Sequence, residues 1–299
     1  MWLQDFILGL TFIVVALVSG NNLSACVGPA IGSKTLSRRT GILLGALGFS
    51  LGLAIQGSGM VISFHSLFPN PTLQLEIEIL LVAILIFVVA DLIRSPISLS
   101  MCLVGLFVGL DLATGGSVKP FTFEVIAMWA VAPLAAILAA FYLIRALNRQ
   151  PKGNIWRRVQ SLKVVLIFFA FSTSYVLGAN TLGLIVAVGG YSITSLVMAI
   201  AAVFLGSFLL SSGELKRISQ ELFMMHYADA TVTLLTSTIL VELSTFLNIP
   251  LSNTQALSAA LFGTGFAYRT KFVSLWSFIV IVAGWFVAPL IGFAAGLLL

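Results

Sequence analysis

Residues 129–134 read WAVAPL and residues 285–290 read WFVAPL, two near-identical hexapeptides 156 positions apart. Three further pairs keep almost the same spacing. GNN at 20–22 and GAN at 178–180 lie 158 apart, SPISLS at 95–100 and IPLSNT at 249–254 lie 154 apart, and Gly57 and Gly213 lie 156 apart. Any one match is weak. Four in the same order at nearly constant offset point to a duplicated chain with small insertions. Both copies are embedded in strongly apolar sequence. Of 299 residues, 60% are hydrophobic and 8% charged, against roughly half and a quarter in a soluble domain. Fifteen basic and 10 acidic side chains cannot clothe a soluble fold of this size. The composition excludes a soluble enzyme, a nucleic-acid binder and a disordered scaffold, and it makes the lipid bilayer the first partner of the chain.

A bilayer core of about 30 Å takes about 20 helical residues. Apolar stretches near 3–33, 41–63, 75–93, 96–113, 122–145, 163–190, 192–213, 224–247, 250–267 and 273–298 predict ten crossings. The stretches 3–33 and 163–190 exceed one straight span. Both carry glycine and asparagine in their second half, and the first also carries Pro29, so both are expected to be broken or bent there. The N-terminal MWLQDF has Asp5 and no basic residue before Lys34, the wrong polarity for a cleaved signal peptide; the first segment is expected to be retained. When loops alternate between faces, 14 of the 15 basic residues fall on one face and Lys119 alone on the other. The positive-inside rule makes the basic face cytoplasmic. Both termini are then outside, the loop 145–163 is cytoplasmic, and the membrane is the plasma membrane.

The predicted organisation is a first repeat over 1–147, a basic linker over 148–162 and a second repeat over 163–299. Five crossings per repeat is an odd number, so the second copy is inverted. The fold class is all-α and polytopic, with two inverted five-segment repeats and broken or half helices at the midplane. That is the architecture of secondary transporters. No cofactor or metal site is expected: Cys26, Cys102, His65 and His226 fall in no ligand or nucleophile spacing.

The polar residues inside the apolar stretches gather in four motifs. Pro followed closely by Ser or Thr suits a helix start, and a helix that starts inside a membrane offers unpaired N–H groups and partial positive charge to an anion. The candidate substrate-binding residues are Asn22, Ser24, Ser98, Ser100, Asn180, Thr181, Ser252, Asn253, Thr254 and Gln255. No Lys or Arg lies within these motifs. The alternative is that small polar residues only pack helices together.

The first motif, GNNLSACVGPAIGS with GANTLGLIVAVGG, and the second, SPISLSMCLVG with IPLSNTQALSAALFG, together resemble the PiT family of inorganic phosphate transporters. That family shows G-A-N-D-x-A-N and P-[VI]-S-T-T-H in each half, and the W-x-x-x-P segments also look like it. The resemblance spans nearly the whole chain. It implies a secondary transporter of phosphate or a related tetrahedral oxyanion, sulfate in some relatives, working as a homodimer. The family Asp is replaced by Leu23 and Thr181, and the following Asn by Cys26 and Leu184. In the family those groups help to hold sodium, and leucine has no oxygen for a hard cation.

Moving a dianion into a cell against 100 mV costs about 4.6 kcal/mol, so import needs cotransported cations, sodium or protons. The ion-coupling candidates are Glu242, the deepest acidic residue, Asp229 with His226 three residues before it, and the neutral oxygens of Asn22 and Asn180. The motifs offer donors and no carboxylate, which shifts the balance from protonated phosphate toward sulfate. Phosphate stays the first expectation. A sulfate-specific permease and an uncoupled oxyanion channel or exporter are the alternatives.

Overall fold

A computed structural model describes residues 2–69, 71–92, 98–149, 154–211, 227–268 and 275–299. Every regular element among them is helical. In chain order these are α1 (Trp2–Gly32), α2 (Arg38–Gln56), α3 (Gly59–Leu67), α4 (Leu73–Leu92), α5 (Leu99–Ala113), α6 (Pro120–Arg149), α7 (Ile155–Leu177), a π-helical segment (Gly178–Leu182), α8 (Gly183–Val188), α9 (Ile193–Leu209), α10 (Tyr227–Phe246), α11 (Asn253–Ala267) and α12 (Leu275–Leu298). Five helical spans are long and apolar enough to cross a membrane: Trp2–Gly32, Arg38–Gln56, Pro120–Arg149, Trp156–Val188 and Ile281–Leu298. The outward face of α2 shows how such helices meet lipid. Leu43, Leu47, Leu51 and Ile55, one turn apart, are exposed, while Gly45, Gly48 and Gly52 are buried on the opposite side.

The two long stretches behave differently from each other. The stretch 3–33 forms one unbroken helix that carries Pro29 in its last turn, so the expected break is absent. A proline so near the C-terminus loses one backbone bond but leaves little helix beyond it to disrupt. In 163–190 the irregularity does appear, as the π-helical turn over GANTL. The basic linker 148–162 is largely helix, because α6 runs to Arg149 and α7 starts at Ile155 under an Asn154 cap that accepts from the N–H groups of Trp156 and Arg157.

α5 and α11 form a matched pair of short helices. At 15 residues, each is about 22 Å long, less than the thickness of the hydrocarbon core. Both start under a serine N-cap with almost the same backbone, Ser98 at φ −85°, ψ 115° and Ser252 at φ −74°, ψ 115°.

Each of the four tightest helix pairings joins the first half of the chain to the second. α1 lies on α9, with Gly206 against the Ala16 carbonyl and Gly20 against Leu210 and the Gly206 carbonyl. α2 lies on α7 and the π segment, with Gly52 against the Tyr175 carbonyl and Gly178 against the Phe49 carbonyl. α5 lies along α12, with Gly105 on Pro289 and Gly292 on Cys102. α11 lies along α6, with Gly263 on Ile137. In the last two pairs the partner numbers rise together, so the helices run in the same direction. At each of these glycines an added methyl would meet backbone atoms, so the absence of a side chain is what lets the helices approach so closely. The halves therefore interlock and share one core.

Gly52→Ala should destabilise the protein by about 1–3 kcal/mol, because its Cβ would collide with the Tyr175 carbonyl oxygen. Gly9→Ala, with no heavy atom within 4 Å of the new methyl, should stay within about 0.5 kcal/mol of wild type. Thermal unfolding of the detergent-solubilised protein measures both.

Candidate functional site

The loop 247–252, between α10 and α11, is held by side chains from several helices, Asn180 making the most bonds. Asn180, fully buried in the π segment, donates from Nδ2 to Thr245 Oγ1 (3.0 Å) and to the Ile249 carbonyl (3.1 Å), and its Oδ1 accepts from the Leu251 N–H (3.0 Å). Ser244 Oγ donates to the same Ile249 carbonyl, and Ser63 Oγ donates to the Asn248 carbonyl. Asn248 turns the chain in the left-handed region at φ 54°, a conformation asparagine tolerates better than most residues. Thus the Asn180 amide spends its donors and its acceptor on the protein and serves as a clamp on the loop.

Beside the clamp the π segment meets the starts of both α5 and α11. Ser100, in the first turn of α5, has its Oγ 3.3 Å from Thr181 Oγ1. Leu251, the residue before the α11 cap, bonds Asn180. Adjacent residues of the π segment therefore touch both helix starts. Ser98 Oγ accepts from the Met101 N–H (3.5 Å), and Ser252 Oγ accepts from the Gln255 N–H (3.2 Å) while sharing a hydrogen bond with Thr254 Oγ1 (2.9 Å). Asn253 is 3% exposed, yet neither Nδ2 nor Oδ1 has a hydrogen-bond partner. Gln255 is 2% exposed and donates from Nε2 to the Trp129 carbonyl (3.1 Å), but its Oε1 has no partner. Buried amides without partners are costly, which makes these atoms the candidate place for a polar ligand.

The Trp129 carbonyl is available for a physical reason. Pro133 lies four residues on within α6 and has no N–H to give it. Gln255 supplies the missing donor, and Trp129 Nε1 donates to the Pro250 carbonyl (3.0 Å). The W-x-x-x-P segment is thus a docking strip for the start of α11. The second copy lies against α5, where Cys102 Sγ donates to the Ala288 carbonyl (3.0 Å).

Not every candidate joins this cluster. Ser24 is buried and donates to the Asn21 carbonyl of its own helix (2.8 Å), and Asn22 is half-buried in α1. Leu23 between them packs towards Gly45. No hydrogen bond ties Asn22 or Ser24 to the clamp among the described residues. Pro96 and Ile97, the start of the first P-x-S motif, lie outside the described residues, as does His226. Asp229 is buried at the far end of α10 and accepts from the Tyr268 hydroxyl (2.6 Å), which in turn accepts from Asn148 (3.2 Å). Glu242 lies near the loop end of α10 and is treated below. Ser63, Thr245 and Trp129 were missed as site residues, since each is an ordinary helix residue until its neighbour from the other half is known.

The phosphate transporter family matches residues 18–194 and 170–299. This chain belongs to that family. It is 23% identical over 297 residues to a protein of Methanocaldococcus jannaschii named as a phosphate permease, covering 97% of this chain and 94% of that protein. It is 25% identical over 262 residues to the sulfate permease CysP of Bacillus subtilis, covering 84% and 73%. Its fold matches a solved structure titled the sodium-dependent phosphate transporter with a TM-score of 0.87, at 16% identity and covering 99% and 98% of the two chains. The protein is a multi-pass membrane transporter and not an enzyme.

Asn180→Leu should cost about 3 kcal/mol or more, since it removes three hydrogen bonds and orphans the Leu251 N–H. Asn22→Leu, at a half-buried position, should cost clearly less. Melting temperatures of the two variants in detergent decide between a clamp and an ordinary polar contact.

Proposed function

We propose that this protein is a secondary active permease for inorganic phosphate, cotransporting a cation and working by alternating access. The observation that carries this reading is the pair of buried, unpartnered amides, Asn253 and Gln255, at the start of α11 beside the start of α5. Free N–H groups in the first turns of α5 and α11, with the hydroxyls of Ser98, Ser100, Thr181, Ser252 and Thr254, supply donors to a tetrahedral oxyanion. None of these groups is cationic, so binding does not add fixed charge that would slow release. Asn180 positions the site by holding the loop before α11.

The unpartnered amide oxygens bear on the choice of substrate. Hydrogen phosphate presents a P–OH that needs an acceptor, whereas sulfate presents none. Asn253 Oδ1 and Gln255 Oε1 are neutral acceptors at the site, a role the replaced family carboxylates do not fill here. They favour phosphate. A sulfate-specific permease is the second reading, favoured by the likeness to a permease named for sulfate.

The equivalent caps at Ser98 and Ser252, the two W-x-x-x-P strips against the two short helices and the exchanged pairings between halves support ten segments in two inverted repeats, over 1–147 and 163–299. In this reading the protein is a plasma-membrane homodimer with both termini outside and the loop 145–163 cytoplasmic.

Proteoliposomes holding the full chain should take up labelled phosphate saturably and be inhibited more by unlabelled phosphate than by sulfate. Asn253→Leu should weaken phosphate binding about 10- to 100-fold, the worth of a buried hydrogen-bonding pair to an anion, with Ser252→Ala and Thr254→Ala weaker in effect. Sulfate inhibiting better than phosphate would overturn the phosphate assignment. Unchanged affinity in all three variants would remove the α11 start from the site.

A further inference from the structure

Glu242 lies in α10, one turn before Thr245, the residue that receives Asn180. Its Oε2 is buried and has no hydrogen-bond partner. Gln56, the last residue of α2, lies alongside the carboxyl, and its Nε2 is also buried without a partner. Two groups that can join α2 to α10 thus lie near each other, short of a well-formed hydrogen bond. Asp111 is paired with Lys119 at 3.1 Å and Asp229 accepts from Tyr268, so these two acids are engaged elsewhere. A carboxylate within a membrane segment is costly without a partner and marks a functional position.

The surroundings of Glu242 are otherwise almost without charge. Tyr175 of α7 is the titratable group that feels its charge. On α11 the titratable residue is Tyr268, bonded to Asp229 at the opposite end of α10. α3 contributes His65, exposed and in ring contact with Phe64. α6 carries Glu124, Arg145 and Arg149, all exposed, α1 carries the exposed Asp5, and the π segment carries no titratable residue. Among the described residues no ion pair neutralises a Glu242 carboxylate.

We propose that Glu242 is a proton-binding site that couples a proton to oxyanion movement, with Gln56 as the amide that receives the carboxyl when it is charged. The proposal rests on the permease reading above. Protonated Glu242 is neutral, and its weaker acceptor oxygens pull less on the Gln56 amide. When the proton leaves, the carboxylate draws the Gln56 Nε2–H and ties α10 to α2. Because Ser244 and Thr245, next on the same helix, hold the Ile249 carbonyl and the Asn180 clamp, the state of Glu242 biases the loop that carries the α11 start. A monoanionic phosphate travelling with one proton crosses without net charge, which removes the membrane-potential cost of about 2.3 kcal/mol per 100 mV.

The test uses full-length protein in proteoliposomes, with labelled phosphate and labelled sulfate, under imposed proton and sodium gradients. An inward gradient of one pH unit should raise wild-type accumulation about tenfold for one proton per cycle. Glu242→Gln should lose that response while keeping phosphate-for-phosphate exchange within about twofold of wild type, which also shows that the variant is folded. Gln56→Leu should keep exchange and shift the pH midpoint of driven uptake upward, because the charged carboxylate loses its donor. A pH-gradient response in Glu242→Gln equal to wild type overturns the proposal, as does wild-type accumulation that follows the sodium gradient alone. Wild-type protein that exchanges neither anion overturns the permease reading itself, a result distinct from exchange without proton coupling.

Discussion

A backbone group in the interior of a membrane has no water to bond, and an irregular loop there must find every partner within the protein. The loop 247–252 meets that constraint through Asn180. Its amide matches the carbonyl of Ile249 and the N–H of Leu251, while its second donated bond ties to Thr245. With the loop held, α11 begins at a fixed place. The π-helical turn over Gly178–Leu182 is part of the same solution, since π turns inside α-helices recur at functional sites.

The helix pairings serve that arrangement. Close packing in a membrane depends on small residues more than on a hydrophobic driving force, and here glycines set the contacts between halves. Proline adds a second device. Pro133 leaves the Trp129 carbonyl without its helical donor, and Gln255 at the start of α11 fills the gap. One proline thereby turns a helix surface into an acceptor that fixes where another helix starts. The exchange of partners between halves means that neither half completes the site alone: Ser100 and Trp129 come from the first, Thr181 and Gln255 from the second.

The site chemistry follows from what the chain lacks. Among the described residues no Lys or Arg belongs to the cluster, and the positions of the family carboxylates hold Leu23 and Thr181. What is left is a neutral set of hydroxyls, amides and helix N-termini. Such a set can bind an anion through directed hydrogen bonds while keeping the low net charge that a membrane crossing requires.

Much of this was legible from residues alone. The apolar runs gave the helices, because burial in lipid demands about 20 apolar residues at a time. The W-x-x-x-P and P-x-S pairs pointed to a duplication, and Ser98 and Ser252 were readable as helix caps because capping is a local interaction. The role of Asn180 was not legible. As a polar residue in an apolar run it reads as a ligand, yet its hydrogen bonds go to residues 65 to 71 positions away. The continuity of α1 through Pro29 was likewise hidden, since a proline disrupts a helix according to how much helix follows it. Sequence by itself determined the membrane, the helices, their caps and the family, all of which rest on composition and on contacts within a few residues. Tertiary structure alone decided which polar groups are consumed in holding the fold and which, like Asn253, are left unpartnered, because that balance depends on neighbours brought together from opposite halves of the chain.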